Sequence, residues 1–301
     1  MTLKDYLIFF RWKNILMIIL IQYLFKYILF EKFNIQVSLD HLHFALLTLS
    51  TAFVAIAGYI INDMYDVKAD IINKPEKLFV DKKITRMMAQ NLFIGFNSVG
   101  LVLGMYLSYH IGHTSYFMIY LLTSLLLHQY AKHLKKTFLL GNIMVSSVVL
   151  FCILMLAVFD VAPATNNYNL ESQKGILHMF LMFGAFGFAL TFLREIVKDM
   201  EDIEGDKAIE AKSFPILYGE EKTKKMLMIG SIAVVLGLNI VIYLAYKLNK
   251  PVSYYLSGAV ILPLLYFITM LYKASNKKDY HKLSGLLKLI MLLGILSMLL
   301  I

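Results

Sequence analysis

Along the chain, apolar runs of about twenty residues alternate with short polar segments, and this rhythm repeats nine times in 301 residues. A helix needs about 20 apolar residues to cross the hydrocarbon of a bilayer. On that rule the pattern predicts membrane helices near residues 12–30, 41–61, 88–108, 114–129, 139–159, 175–194, 225–246, 252–272 and 283–301, the fourth being the shortest. Gly and Ser punctuate several of them, as close helix packing in a membrane favours. The first run follows basic residues but has no small-residue cleavage site, so it is expected to be a retained helix and not a signal peptide.

Composition sharpens this picture. Hydrophobic residues make up 59% of the chain, charged residues only 16%, and the mean hydropathy is +0.68. A soluble domain carries roughly a quarter charged residues, so the expected class is an all-α integral membrane protein. The formal charge of +9 does not point to nucleic acid, because the Lys and Arg fall in short clusters between apolar runs and suit cytoplasmic loops and anionic head groups. With the N-terminus in the cytoplasm, 23 of the 29 basic residues lie in inward segments and five (Lys26, Lys32, Lys174, Lys247, Lys250) in outward ones. The expectation is a multi-pass protein of a bacterial or archaeal cell membrane, N-terminus inside. Cys152 is the single cysteine, which excludes a disulfide framework and a cysteine zinc site; core packing is its expected role. The eight His show no H-x-x-x-H or H-E-x-x-H spacing, and His110 and His113 are expected in a short solvated outward loop.

The acids are as uneven as the bases. Five of the 20 Asp and Glu lie between Asp63 and Asp81 and nine between Glu195 and Glu221. In "NDMYDVKAD", Asn62, Asp66 and Asp70 are spaced i, i+4, i+8. Four residues advance a helix by about 400° and 6 Å, so these side chains form a slightly spiralling column, with Asp63 about 100° round from it. The column is expected to begin at the end of the second helix and run on into a loop. In "REIVKDMEDIEGD", Lys198, Asp202 and Asp206 repeat the step 136 residues later, and Glu195 and Asp199 add an adjoining acidic stripe. A solitary charge run is usually a solvated face. Two in register cluster like charges at a real cost unless a cation joins them, and hard oxygen donors of this kind suit Mg²⁺ completed by phosphate oxygens. Lys68, Lys74, Lys77, Lys132, Lys135, Lys136, Arg194 and Lys198 fall on the same side as further phosphate contacts. The expected metal donors are Asn62, Asp66, Asp70, Asp199, Asp202 and Asp206. Asn142, opening the fifth helix in "GNIMVSS", is a candidate substrate contact.

"NDMYDVKAD" followed by "NKP", then "KHLKKTFLLGN" and "REIVKDMEDIEGD" in a nine-helix chain resemble the UbiA-type intramembrane prenyltransferases over essentially the whole length. The resemblance implies nine transmembrane helices around a central cavity in one domain, with pseudo-repeated halves at roughly 1–130 and 139–272 and Asp-rich cytoplasmic segments. It also implies that Asn62, Asp66 and Asp70, with Asp202 and Asp206, hold Mg²⁺ and an isoprenoid diphosphate, with Lys198 at the head of the second motif. "FRWKN" resembles the family's N-terminal Arg-Pro-x-Asn stretch and assigns Arg11 and Asn14 to substrate binding, with Trp12 where Pro is usual. The implied partners are a prenyl diphosphate donor, a lipophilic acceptor and the bilayer. The implied reaction is allylic C–O cleavage assisted by Mg²⁺ and lysines, and capture of the carbocation away from water.

Two other classes compete with this reading. A transporter would set its acids near the bilayer midplane in broken helices, whereas these lie at helix ends. A CDP-alcohol phosphotransferase needs an Asp-Gly-x-x-Ala-Arg segment, which "NDMYDVKADIINKP" lacks. Among acceptors, the second motif reads most like the branch that prenylates geranylgeranylglyceryl phosphate. An aromatic quinone precursor is the alternative. Lys132 and Lys136, on a helix, would stand one turn apart and grip one phosphate.

Overall fold

The structure, a computed structural model, describes residues 2–301. Its regular elements are all helical among the described residues, apart from an isolated bridge between Val80 and Ile84. In chain order they are α1 (Leu3–Phe9), α2 (Trp12–Lys32), α3 (His41–Asn73), α4 (Arg86–His110), α5 (Phe117–Lys132), α6 (Leu140–Ala164), α7 (Leu170–Glu201), α8 (Ile203–Ala208), α9 (Phe214–Leu248), α10 (Lys250–Lys273) and α11 (Lys277–Leu300).

Eight of these, α2, α3, α4, α6, α7, α9, α10 and α11, are long and apolar enough to cross a membrane. The fourth predicted run is helical too, but α5 has only 16 residues. That is about 24 Å of helix against a hydrocarbon core of about 30 Å, so it falls short of the length the other eight reach.

The chain forms two compact units, Met1–Lys135 with Phe151–Leu181 and Lys136–Leu150 with Met182–Ile301. In the first, Phe9 and Ile15 pack with Ile56, Ile60 and Met64 of α3 and with Phe79 and Val80 of the segment after it. The α3–α4 contact is close because the crossing residues are small: Ser50 Oγ donates to the Gly100 carbonyl at 2.8 Å. A Cβ on Gly100 would meet Val54 at 2.8 Å, and one on Gly104 would meet the buried Tyr120 ring at 2.4 Å. Cys152 packs half-buried as expected, its carbonyl accepting from Gln22 Nε2 at 2.9 Å.

Away from the acids, the first unit encloses an ion pair. Lys26 and Asp160 are 7% and 0% exposed, and each sits in a π-helical turn, Phe25–Leu29 of α2 and Ala157–Val161 of α6. Lys26 Nζ donates to Asp160 Oδ2 and to the Leu39 carbonyl, both at 2.7 Å. Asp160 Oδ1 accepts the backbone N–H groups of Ser38 and Leu39 at 3.1 and 2.8 Å. Both charges are thereby satisfied, as burial requires. His110 departs from expectation. It is the last residue of α4 and its ring stacks on His43 at 3.6 Å, while His43 Nδ1 lies 2.7 Å from Asp40 Oδ1. The residue is exposed, but its ring has a partner.

In the second unit, Leu190, Leu193 and Val197 of α7 pack with Leu227 of α9, with Val260, Leu264 and Phe267 of α10, and with Leu283 and Leu287 of α11. Pro215 sits in the first turn of α9, where its missing N–H costs no bond. Gly219 (φ 80°) breaks that helix with a left-handed residue that a side chain would strain.

Candidate active-site residues

The first acidic group lies wholly on α3, so the expectation that the column passes into a loop is corrected. The helix continues to Asn73, and Lys74, immediately before Pro75, leaves it with φ −146°. A residue preceding proline is sterically barred from the α region, and that is where the helix stops. Asn62 Nδ2 donates to Asp66 Oδ2 at 2.5 Å, as the i, i+4 spacing predicts.

Asp63 does not face away from this chemistry. Arg11 Nη2 donates to Asp63 Oδ1 at 2.6 Å, with 16% of the Asp63 side chain exposed. Arg11 itself has φ 52°, ψ 46°, and this left-handed residue turns the chain from α1 into α2. Its guanidinium lies over the Tyr59 ring at 4.7 Å, and Asn14 Nδ2 donates to Tyr59 Oη at 3.1 Å. The "FRWKN" segment is thus fixed beside the column. Lys135 Nζ forms an ion pair with Asp66 Oδ1, the two side chains being 10% and 21% exposed. Asp70 lies within electrostatic reach of Asp63, Asp66, Lys74 and Arg11.

The second group straddles a helix break. Lys198 is on α7, Asp202 (φ −108°, ψ 12°) is the cap between α7 and α8, and Asp206 is on α8. The four-residue step survives as backbone hydrogen bonds, Asp202 N–H to the Lys198 carbonyl at 2.9 Å and Asp206 N–H to the Asp202 carbonyl at 3.1 Å. Lys198 and Arg194 both donate to Glu195 Oε1, at 2.7 and 3.1 Å. Asn142 Nδ2 donates to Asp199 Oδ2 at 2.9 Å, joining the start of α6 to this group.

The other predicted cations differ. Lys68, Lys77 and Lys132 are exposed and lie in no ion pair with either group. Lys132 and Lys136 are not successive turns of one helix: α5 ends at Lys132, and Leu134–Lys136 form a 3-10 turn. The single phosphate grip expected of them therefore has no helical basis. Two contacts escaped the local periodicity, Arg11 on Asp63 and Lys135 on Asp66, because their partners are 52 and 69 residues apart.

The donors suit a hard divalent cation. Asn62 Oδ1 is buried with no hydrogen-bond partner, an amide oxygen beside a carboxylate. Among the described residues no three His, Cys, Asp or Glu converge as a closed cage. A few oxygens open to a ligand are what Mg²⁺ takes when phosphate oxygens and water complete its shell.

Similar proteins agree on the family. A digeranylgeranylglyceryl phosphate synthase of Methanobrevibacter smithii is 31% identical over 253 residues, 83% of either chain. A solved structure described as digeranylgeranylglyceryl phosphate synthase in membranes superposes with a TM-score of 0.61 at 27% identity, covering 98% of this chain and 96% of that one. The fold is also that of a UbiA homolog from Archaeoglobus fulgidus solved with DMAPP and Mg²⁺ (TM-score 0.59, 17% identity, 99% and 100% covered). The UbiA prenyltransferase family model matches residues 33–293, and the chain belongs to that family.

Proposed function

We propose that this prenyltransferase moves an isoprenoid chain from an allylic prenyl diphosphate to a lipophilic acceptor bearing a glyceryl phosphate, with Mg²⁺ as cofactor. The observation that carries the reading is the first acidic group: three carboxylates on one helix with Arg11, Lys135 and Lys74 set among them. The acceptor class rests on the relatives named digeranylgeranylglyceryl phosphate synthase.

Bound Mg²⁺ supplies positive charge against the diphosphate as the allylic C–O bond breaks. In the first group Asn62, Asp66 and Asp70 would hold the metal, and in the second Asp199, Asp202 and Asp206 would do so. Arg11, Lys74 and Lys198 would face phosphate oxygens and stabilise the charge that grows there. The diphosphate departs with the electron pair, and the acceptor hydroxyl oxygen takes the allylic carbon and releases its proton to the departed diphosphate. Apolar helices keep water from competing.

The same reading takes α5 as a ninth, short crossing. It places the N-terminus and both acidic segments in the cytoplasm, supported by the 23-to-5 split of basic residues. It treats the chain as one domain of pseudo-repeated halves, supported by motifs 136 residues apart.

The test is mass spectrometry of products from purified protein supplied with Mg²⁺, geranylgeranyl diphosphate and a panel of acceptors. A prenylated glyceryl phosphate is expected. Prenylation of uncharged aromatic acceptors alone would overturn the acceptor, and no product at all the reaction.

A further inference from the structure

Two acids of α3, Asp63 and Asp66, each pair with one base, and Asp70 lies within electrostatic reach of Lys74; these bases differ in how firmly they are held. Arg11 is fixed three ways: by the left-handed turn of its own backbone, by the Tyr59 ring and by Asp63. Lys74 caps the same helix that carries Asp70. Lys135 reaches Asp66 from a 3-10 turn 69 residues away, through a four-carbon stem with three rotatable donors.

Its target is special. Asp66 shares its other oxygen with Asn62, so the Lys135 ammonium sits on the free oxygen of the residue in the middle of the column. A divalent cation held by Asp66 competes with Lys135 for that oxygen, because the other already accepts from Asn62. An ammonium and Mg²⁺ cannot share one carboxylate oxygen at close range without strong like-charge repulsion. The pair is largely withdrawn from water, with side chains 10% and 21% exposed, so the contact is not dismissed by solvent as a surface pair is.

We propose that Lys135 is a displaceable counter-ion of Asp66. It competes with the metal while no diphosphate is present, and it passes to the phosphate oxygens when metal and diphosphate arrive together. The consequence is coupling: the metal alone binds weakly, because it must evict an ammonium from its ion pair. With a diphosphate present the evicted ammonium gains a new anion, and the metal tightens. By linkage the diphosphate gains from the metal by the same factor. This inference rests on the Mg²⁺–diphosphate reading above.

The experiment measures Mn²⁺ binding to the full chain in detergent micelles by loss of the free-ion electron paramagnetic resonance signal, with and without inorganic pyrophosphate. In the native protein, pyrophosphate should tighten Mn²⁺. Lys135→Gln should bind Mn²⁺ alone roughly tenfold more tightly than the native protein, the equivalent of about 1.4 kcal/mol, and should gain much less from pyrophosphate. Lys135→Arg, which keeps the cation, should retain the coupling. A readout without any variant uses acetylation by acetic anhydride, located by mass spectrometry. Saturating Mg²⁺ alone should raise modification of Lys135, and adding pyrophosphate should suppress it again. The proposal is overturned if both proteins bind Mn²⁺ with pyrophosphate but Lys135→Gln binds Mn²⁺ alone no more tightly, or if Mg²⁺ leaves Lys135 acetylation unchanged. Absence of Mn²⁺ binding to the native protein even with pyrophosphate would instead overturn the underlying metal site, and the counter-ion with it.

Discussion

Arg11 holds a conformation that side chains other than Gly avoid, and a left-handed non-Gly residue costs about 1–2 kcal/mol. The Asp63 carboxylate and the Tyr59 ring offset that cost, and this separates geometry from chemistry in a testable way. Arg11→Gly should leave the thermal midpoint close to that of the native protein, since Gly accepts the turn, yet reduce kcat/KM by about 10²-fold, the scale of one lost charge-stabilising donor. Asp63→Ala should slow turnover through Arg11, so that the Arg11→Gly/Asp63→Ala double variant is no slower than Arg11→Gly alone; full additivity would show that the two act independently. Asp66→Ala and Asp202→Ala should each cost about 3 kcal/mol or more in transition-state stabilisation at saturating Mg²⁺ with unchanged circular dichroism. Turnover at the native rate in either variant would remove that acid from the chemistry. The i, i+4 columns were readable because a helix period is a local property. Arg11 on Asp63 and Lys135 on Asp66 were not, because tertiary folding alone decides which distant base meets which acid.

At the level of the helix, hydropathy located the apolar runs but not the rods that contain them. The second run was expected to end at 61, whereas α3 continues to Asn73. Residues 62–73 contain neither Gly nor Pro, so nothing in their backbone chemistry stops a helix until the proline at 75. That signal was present in the sequence; a rule based on apolar length passes over it. The fourth run is helical but shorter than its neighbours, at 16 residues. Close packing of α4 gives a paired prediction. Gly104→Val should lower the unfolding midpoint in detergent by the equivalent of about 1–3 kcal/mol, because its side chain would enter the Tyr120 ring. Gly95→Ala, with nothing within 4 Å of the added Cβ, should be neutral or raise the midpoint by up to about 1 kcal/mol. Equal effects at the two positions would show that the α4 packing is not the controlling contact.

For the whole molecule, the basic-residue bias sets a directional expectation. Reporter fusions after Glu171 should appear outside the cell and fusions after Lys136 or Glu210 inside; the reversed pattern would overturn the cytoplasmic placement of both acidic groups. The bias was legible because orientation depends on summed charge, whereas the division into two compact units cuts at Leu150 and Leu181, inside apolar runs with no break in composition. The sealed pair of Lys26 and Asp160 adds a matter of timing. Its members are 134 residues apart, so at about 5–20 residues per second a ribosome finishes Asp160 roughly 7–27 s after Lys26. During that interval the ammonium has no carboxylate, and the first long helix can settle in its native seat only after more than half the chain has been made. Nascent chains halted before residue 160 should therefore remain open to proteases and to chemical labelling at Lys26, and chains halted well beyond it should not.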